Sequence, residues 1–200
     1  MDDKRNIKGI FFDFDGVVTN DKNGTPLIIS YISKNTGLPL EKVDVAYRRY
    51  NEDMLMGKIT HKEMWAPFCR EVGMDIDYGI LEKAFLSLKL DDKMIELILK
   101  YKEKYHIGLI TDNKVDRIET IIENTRLKGL FDTIIISANI RSRKNEETIF
   151  LSALKESGLK ACECVYIDNN KKNLIVPKKL GFTTILFDNI NRDYLEISRF

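Results

Sequence analysis

Five short, continuous apolar runs constrain the fold of this 200-residue chain more than any other feature. The runs lie at residues 7–14, 106–111, 133–137, 164–167 and 183–187. Their apolar residues are consecutive rather than alternating, which is typical of strands that are covered on both faces. Helical patterns alternate with the later runs, at residues 91–104, 115–126, 146–157 and 171–180. This alternation predicts βαβ units, and therefore an α/β fold with a doubly wound parallel sheet.

The interval from 19 to 90 interrupts this alternation, because it contains no strand pattern. It predicts four helices instead, at roughly Leu27–Thr36, Leu40–Met56, Thr60–Val72 and Tyr78–Leu88. Thr60 and Glu63 have the spacing of a capping box, which marks the start of the third of these helices. An insert of about 70 residues is too long for a loop. We therefore expect a small all-helical cap domain at 19–90 and an α/β core domain made of 1–18 and 91–200.

The insert also contains aromatic, histidine and arginine side chains whose positions can be predicted less firmly. Trp65 and Phe68 are expected to pack in the core of the cap. His61 has no partner in view, and we expect it on the cap surface. Arg48 and Arg49 either belong to a solvated helix face or grip the far end of a substrate.

Charge and composition exclude several classes of protein. The 32 basic and 31 acidic residues give a net charge of +1, so the basic excess of a nucleic-acid-binding domain is missing. No apolar run approaches the ~20 residues of a membrane span, and the first residues do not resemble a signal peptide. Three cysteines are read as reduced thiols. We expect a soluble, cytoplasmic protein that binds neither nucleic acid nor membrane, and its oligomeric state stays open.

Polar residues follow three of the predicted strands at the points where the apolar runs end. Asp13 and Asp15 follow the first run, Thr111 ends the second, and Asp168 follows the fourth. Because the carboxyl ends of parallel strands meet at one edge of a sheet, these side chains are expected to converge. Lys144, in the loop after the third run, can reach the same edge.

This group of residues fits phosphoryl transfer. Carboxylates at close range repel each other unless a proton or a cation lies between them. Oxygen ligands with few carboxylates suit Mg²⁺, and a lysine beside them can meet an anionic substrate. One aspartate could attack phosphorus to form an aspartyl-phosphate, and the other, two residues away, could act as general acid and then base.

The same segments resemble the signature motifs of a known superfamily. The segment Phe12-Asp13-Phe14-Asp15-Gly16-Val17 resembles the first signature of the haloacid dehalogenase superfamily in its phosphatase form. Segments 109–113, 137–150 and 165–173 resemble the second, third and fourth signatures, and the helical insert resembles that superfamily's helical cap.

The resemblance implies a role for each matching residue. Asp13 would be the nucleophile and Asp15 the general acid/base. Thr111 and Lys144 would bind the phosphoryl group, together with Asp112, which stands where the family often has asparagine and could contribute a backbone amide. Mg²⁺ would be held by Asp13, by the main-chain carbonyl of Asp15 and by Asp168.

Subclass features narrow the expected substrate. Dehalogenases carry a tyrosine and phosphonate hydrolases an alanine at the position of Asp15, so the aspartate favours a phosphate ester. The spacing from Gly57 to Trp65 resembles the cap of sugar-phosphate phosphatases, which favours a sugar phosphate. We therefore predict a Mg²⁺-dependent phosphoric monoester hydrolase that acts on a small phosphorylated metabolite through an aspartyl-phosphate.

Two alternatives stay open at this stage. A phosphomutase on the same scaffold would return the phosphoryl group to a sugar hydroxyl. A non-catalytic module would use the acidic cleft only to hold a metal or an anion in a regulatory role. Asn169 follows Asp168 where the superfamily usually has a second acid, which mildly favours the second alternative.

Overall fold

The computed structural model describes residues 6–200 and contains one five-stranded sheet with the strand order β3-β2-β1-β4-β5. The strands are β1 (Gly9–Phe12), β2 (His106–Thr111), β3 (Thr133–Ile136), β4 (Cys164–Asp168) and β5 (Thr183–Leu186). Every pair of neighbouring strands is parallel. The predicted α/β class with a parallel sheet is therefore confirmed.

Both faces of the sheet are buried at the inner strands, which explains why β1 and β4 are apolar at consecutive positions. Ile10 and Phe12 of β1 belong to a large apolar cluster on one face, and Phe11 between them belongs to a second cluster on the other face. Each fully buried side chain of this kind contributes about 1.5–3 kcal/mol. A polar residue on either face would forfeit that contribution, so neither face of β1 tolerates one.

Four helices fill the interval between β1 and β2. They are α1 (Gly24–Thr36), α2 (Leu40–Leu55), α3 (His61–Val72) and α4 (Ile80–Leu86). The predicted capping box at the start of α3 is present, since Thr60 Oγ1 accepts from the Glu63 amide at 3.2 Å and Glu63 Oε2 accepts from the Thr60 amide at 2.7 Å. Trp65 and Phe68 are buried, as expected. The division into a cap domain and a core domain remains our proposal.

The remaining helices flank the sheet. They are α5 (Asp92–Lys102), α6 (Val115–Glu123), α7 (Ser137–Ile140), α8 (Glu147–Ser157) and α9 (Ile175–Leu180). The single helix expected over 171–180 is divided into a 3₁₀ turn at Lys171–Leu174 and α9. Pro177 lies in the first turn of α9, where a missing amide proton costs least. Between residues 6 and 200, no helix is long and apolar enough to cross a membrane.

The chain leaves β1 for the helical insert and returns from it along the same path. Thr19 and Leu90 form an isolated antiparallel bridge, and the amide of Asp91 donates to the Val18 carbonyl at 3.0 Å. These two adjacent passages, around residues 18–20 and 89–91, are called the hinge below.

A residue from the segment after β5 braces the hinge. The Arg192 guanidinium donates to the carbonyl oxygens of Gly16, Val17 and Thr19 at 3.1–3.3 Å. It also forms an ion pair with the Asp91 carboxylate. One side chain therefore holds both passages of the hinge and the loop that follows β1.

Candidate active site

The carboxyl ends of β1, β2 and β4 border a cavity of about 650 Å³. Asp13 follows β1, while Thr111 and Asp168 end β2 and β4. Asp13, Thr111 and Lys144 line the cavity, whereas Asp168 lies fully buried behind it. The structure thus brings the residues singled out in the sequence to one edge of the sheet.

Two carboxylates share the ammonium group of Lys144, whose side chain is only about 2% exposed. Lys144 Nζ donates to Asp168 Oδ2 at 2.9 Å and forms an ion pair with Asp13 Oδ1. Burial alone would lower the pKa of Lys144, but the Asp13 and Asp168 carboxylates outweigh it and raise that pKa. Lys144 is therefore a permanent cation at this edge.

The two carboxylates differ in protonation behaviour. Burial raises the pKa of Asp13 to about 8, with Lys144 opposing the shift and the nearby Asp168 charge adding to it. Burial would also raise the pKa of Asp168, but Lys144 and the Tyr166 hydroxyl outweigh it and lower that pKa. Tyr166 donates to Asp168 Oδ2 at 2.7 Å, and Asn173 Nδ2 donates to the same carboxylate at 3.1 Å. Asp168 is therefore ionised at neutral pH. Asp13 needs a further positive charge beside it to be fully ionised at that pH.

The loop after β1 turns sharply so that Asp15 faces the same cavity. The Asp13 side chain accepts from the Phe14 amide at 2.7 Å, and Gly16 has a φ of +83°. A β-carbon at Gly16 would also overlap the Asn169 amide. Glycine is required here both for the left-handed backbone and for the close approach of Asn169.

Asp15 is held in a two-pronged ion pair with Arg117 on α6. The guanidinium nitrogens donate to Asp15 Oδ1 at 2.7 Å and to Oδ2 at 2.8 Å, and Asn113 Nδ2 donates to Oδ2 at 2.9 Å. Burial would raise the pKa of Asp15, but the Arg117 charge outweighs it, so that pKa is lowered. Arg117 is itself only 1% exposed and packs against Gly24, where a β-carbon would overlap the guanidinium group. Asp15 is therefore ionised in this arrangement.

Arg117 and Asn113 were not anticipated from the sequence. Asn113 ends the segment 109–113 that resembles the second signature, and Arg117 lies four residues later, which is about one helical turn. This spacing is the only sequence feature that links the two residues. It does not show that both side chains turn toward Asp15, which becomes visible only in the packing of the structure.

Asp112 supports the neighbouring loop through its side chain. Its carboxylate accepts from the Lys144 amide at 3.1 Å and from Arg143 Nε at 3.2 Å. Thr111 is buried beside it, and its hydroxyl accepts from Asn113 Nδ2 at 3.3 Å. The Asp112 side chain thus positions Lys144, and its predicted phosphate contact through the backbone amide stays a prediction.

The expectation that His61 lies on the cap surface is wrong. Its side chain is 0% exposed, with Nε2 at 2.6 Å from the Tyr47 hydroxyl and Nδ1 at 2.7 Å from the Asp116 carboxylate. Asp116 belongs to α6, so the first turn of α3 packs on a helix that follows β2. Burial lowers the pKa of His61 although Asp116 opposes the shift. Sequence periodicity within α3 could not show this contact with a distant helix.

The oxygen donors at this edge fit a small divalent cation. Over residues 6–200, no three acidic, histidine or cysteine side chains converge on one metal position. The predicted ligand set needs only two carboxylates, because its third donor is the main-chain carbonyl of Asp15. Asp13 and Asp168 already approach one cationic atom, Lys144 Nζ, and hard oxygen donors of this kind suit Mg²⁺. The donor chemistry therefore agrees with the expected metal.

A family model described as "Haloacid dehalogenase-like hydrolase" matches residues 10–187. The chain belongs to this family. It is 23% identical over 196 residues to a D-ribitol-5-phosphate phosphatase of Bacteroides thetaiotaomicron, covering 92% of this chain and 93% of that protein. It is also 32% identical over 97 residues to the Rhythmically expressed gene 2 protein of Drosophila melanogaster, covering 46% of this chain and 37% of that one.

Solved structures of the haloacid dehalogenase-like family share the fold. A family enzyme of Bacteroides thetaiotaomicron, solved as a magnesium complex, has a TM-score of 0.80 at 21% identity, covering 98% of this chain and all of that one. A predicted haloacid dehalogenase-like hydrolase from Porphyromonas gingivalis has a TM-score of 0.77 at 20% identity, covering 97% of both chains. Both likenesses extend over the sheet and the helical insert.

Proposed function

We propose that this family member is a Mg²⁺-dependent phosphatase that hydrolyses a small phosphorylated metabolite through an aspartyl-phosphate on Asp13. The observation that carries the proposal is the sharing of the Lys144 ammonium by Asp13 and Asp168, with Asp15 on the same cavity. Phosphoryl transfer requires this combination of a nucleophile, fixed positive charge and an acid/base group. The similarity to a D-ribitol-5-phosphate phosphatase favours a sugar or polyol phosphate as substrate.

The first step would form a bond between Asp13 Oδ and phosphorus while the ester P–O bond breaks. Lys144 neutralises charge on the phosphoryl oxygens, and the Thr111 hydroxyl holds one of them. Asp15 gives its proton to the departing alkoxide. Mg²⁺, held by Asp13, Asp168 and the Asp15 carbonyl, would offset the repulsion between the carboxylate and the phosphate dianion.

The second step would release inorganic phosphate. Asp15, now a carboxylate, takes a proton from water as the water oxygen bonds to phosphorus and the Asp13–phosphorus bond breaks. The pairing with Arg117 keeps Asp15 ionised, which is the protonation state that the base role needs, although the lowered pKa also makes it a weaker base. The acid role in the first step needs a protonated Asp15, so this side chain must leave Arg117 before the ester bond is cleaved.

Phosphate release from an aryl phosphate, measured with Mg²⁺ and with excess EDTA, tests the proposal. Asp13→Asn is expected to lower turnover by at least about 10³-fold, because an amide is a poor nucleophile. Asp75→Asn, at an exposed position of the helical insert, is the matched control and is expected to retain wild-type turnover. Undiminished turnover by Asp13→Asn would overturn the mechanism, and turnover that resists EDTA would overturn the metal requirement.

Product analysis separates hydrolysis from the mutase alternative. Incubation with a sugar 1-phosphate is expected to yield inorganic phosphate and free sugar. An isomeric sugar phosphate as the main product would contradict the proposed hydrolysis.

A further inference from the structure

A buried lysine without a carboxylate partner lies in the cavity, on the side toward the helical insert. Lys114 is 4% exposed, and its Nζ donates to Thr25 Oγ1 at 2.9 Å and to Asn51 Oδ1 at 2.7 Å. Across residues 6–200, the other buried cations of this cavity are paired with carboxylates, Lys144 with Asp13 and Arg117 with Asp15. Lys114 thus differs from them in having only neutral partners, namely two oxygens and, at 5.8 Å from Nζ, the Tyr47 ring.

The three side chains come from separate elements that border one cavity. Thr25 is in α1 and Asn51 in α2, whereas Lys114 immediately precedes α6. All three line the same cavity as Asp13 and Asp15. A substrate whose phosphate lies at Asp13 can therefore extend its tail toward this cluster without leaving the cavity.

The cluster retains hydrogen-bonding capacity on its cavity side. Two of the three Lys114 protons are used, and the Thr25 hydroxyl donates to Asn51 Oδ1 at 3.1 Å. Among the described residues, the Asn51 amide nitrogen has no hydrogen-bond acceptor. The remaining donors, with the one lone pair of the Thr25 hydroxyl that Lys114 does not use, match a group that both donates and accepts, as a hydroxyl does.

The electrostatics around Lys114 favour a neutral ligand group over a second anion. Burial lowers the pKa of Lys114 to about 7, and the neighbouring Arg117 acts in the same direction, against Asp15, Asp116 and Glu52. The two neutral oxygens bonded to Lys114 Nζ leave it one free proton, which can satisfy a hydroxyl but is fewer than the donors that an anionic group requires.

We propose that Lys114, Thr25 and Asn51 form a hydroxyl-binding subsite that selects phosphate monoesters with a polyhydroxylated tail. The inference rests on the proposed phosphatase function and names the residues that would set its substrate class. Because an unpaired polar group in a buried site is costly, an ester that lacks the hydroxyls leaves the subsite unsatisfied and is discriminated against.

The test compares three esters with equal chain length. They are a five-carbon polyol 5-phosphate, pentyl phosphate, and a five-carbon aldonate 5-phosphate with a terminal carboxylate. For the wild-type protein, kcat/KM for the polyol ester is expected to exceed that for the pentyl ester by on the order of 100-fold. Lys114→Met, which keeps an unbranched side chain but removes the amine, is expected to reduce this ratio below about 5-fold.

Two further variants keep the test interpretable. Asn51→Leu removes a hydrogen-bonding partner while leaving the lysine in place, and it is expected to lower the same ratio. Lys128→Met changes an exposed lysine that is paired with Glu123, and it is expected to leave the ratio at the wild-type value.

Calorimetry provides a readout that does not depend on turnover. In an Asp13→Asn background with Mg²⁺, adding Lys114→Met is expected to weaken binding of the polyol ester about 10-fold while changing pentyl phosphate binding less than about 2-fold.

Equal weakening for both esters would overturn the subsite. An unchanged kcat/KM ratio of the polyol and pentyl esters in Lys114→Met would overturn it as well. If the wild-type protein prefers the aldonate ester and Lys114→Met loses this preference, the subsite binds an anion and the hydroxyl assignment is wrong. If the wild-type protein cleaves none of the esters, the phosphatase proposal fails, whereas the calorimetric comparison still decides the subsite.

Discussion

The buried ion pair between Arg117 and Asp15 leads to a specific prediction about stability and pH. Arg117→Leu removes the guanidinium and leaves the Asp15 carboxylate, which is 17% exposed at the cavity, with Asn113 as its remaining side-chain donor. Breaking a buried pair by removing one partner typically costs about 3–5 kcal/mol. Because Asp15 is partly exposed at the cavity, we expect a loss at the lower end of this range, about 3 kcal/mol, in the free energy of unfolding at pH 7.5.

The sign of the pH dependence follows from the pKa of Asp15. In the wild type the pKa of Asp15 is lowered in the folded state. The pair therefore stabilises the fold fully at pH values above the unfolded-state pKa of about 3.9. This stabilisation is lost as the pH falls through the folded-state pKa. Without Arg117, we expect burial to outweigh the remaining Asn113 and Lys114 and to raise the pKa of Asp15. The penalty for the unpaired carboxylate then shrinks as the pH falls, and at pH 4.5 it cannot exceed about 1 kcal/mol.

Urea-induced unfolding of the wild type and Arg117→Leu at pH 7.5 and pH 4.5 measures this difference. Arg126→Leu is the matched control, because Arg126 forms an exposed ion pair with Asp92 and should contribute less than about 1 kcal/mol. The double variant Asp15→Leu/Arg117→Leu is expected to recover part of the loss at pH 7.5. The reasoning is refuted if Arg117→Leu loses the same stability at both pH values.

Two further predictions concern a glycine and an asparagine. Gly57→Ala is expected to lower stability in thermal unfolding by about 1–3 kcal/mol, since Gly57 has a φ of +61° and an added β-carbon would overlap the Ala138 carbonyl. Gly129→Ala is the control, because Gly129 has a φ of +72° but open space around it. Equal losses for the two variants would contradict the overlap. Asn169→Asp adds a carboxylate to the cavity and is expected to lower the Mg²⁺ concentration for half-maximal phosphate release several-fold. An unchanged or higher requirement would contradict a metal site beside Asn169.

The strands and the convergence of the site were predictable because both follow from local patterns. Continuous apolar runs indicate strands buried on two faces, and the carboxyl ends of parallel strands share an edge whatever their order. Asp13, Lys144 and Asp168 could therefore be expected together before the strand order was known. The central position of β1 depends on pairing across more than 90 residues, as between Gly9 and His106, and no local pattern contains that information.

The contacts that sequence analysis missed all join distant elements through polar side chains. Arg117 stands on an amphipathic helix, where a charged residue normally faces water. Its inward position depends on Gly24, which leaves room for the guanidinium group. His61 was misplaced for the same reason, because its partner Asp116 is 55 residues away and belongs to a different part of the chain.

The central position of β1 also has a consequence for the order of folding. Phe11 and Phe12 have β2 on one side and β4 on the other, and β4 is made about 150 residues later. While a ribosome is still synthesising the chain, the four helices of the insert can form from local contacts, but β1 must wait for its second neighbour. Strands that wait in this way expose apolar surface and fold slowly. Nascent chains of this protein are therefore expected to need protection by chaperones until residue 168 has emerged.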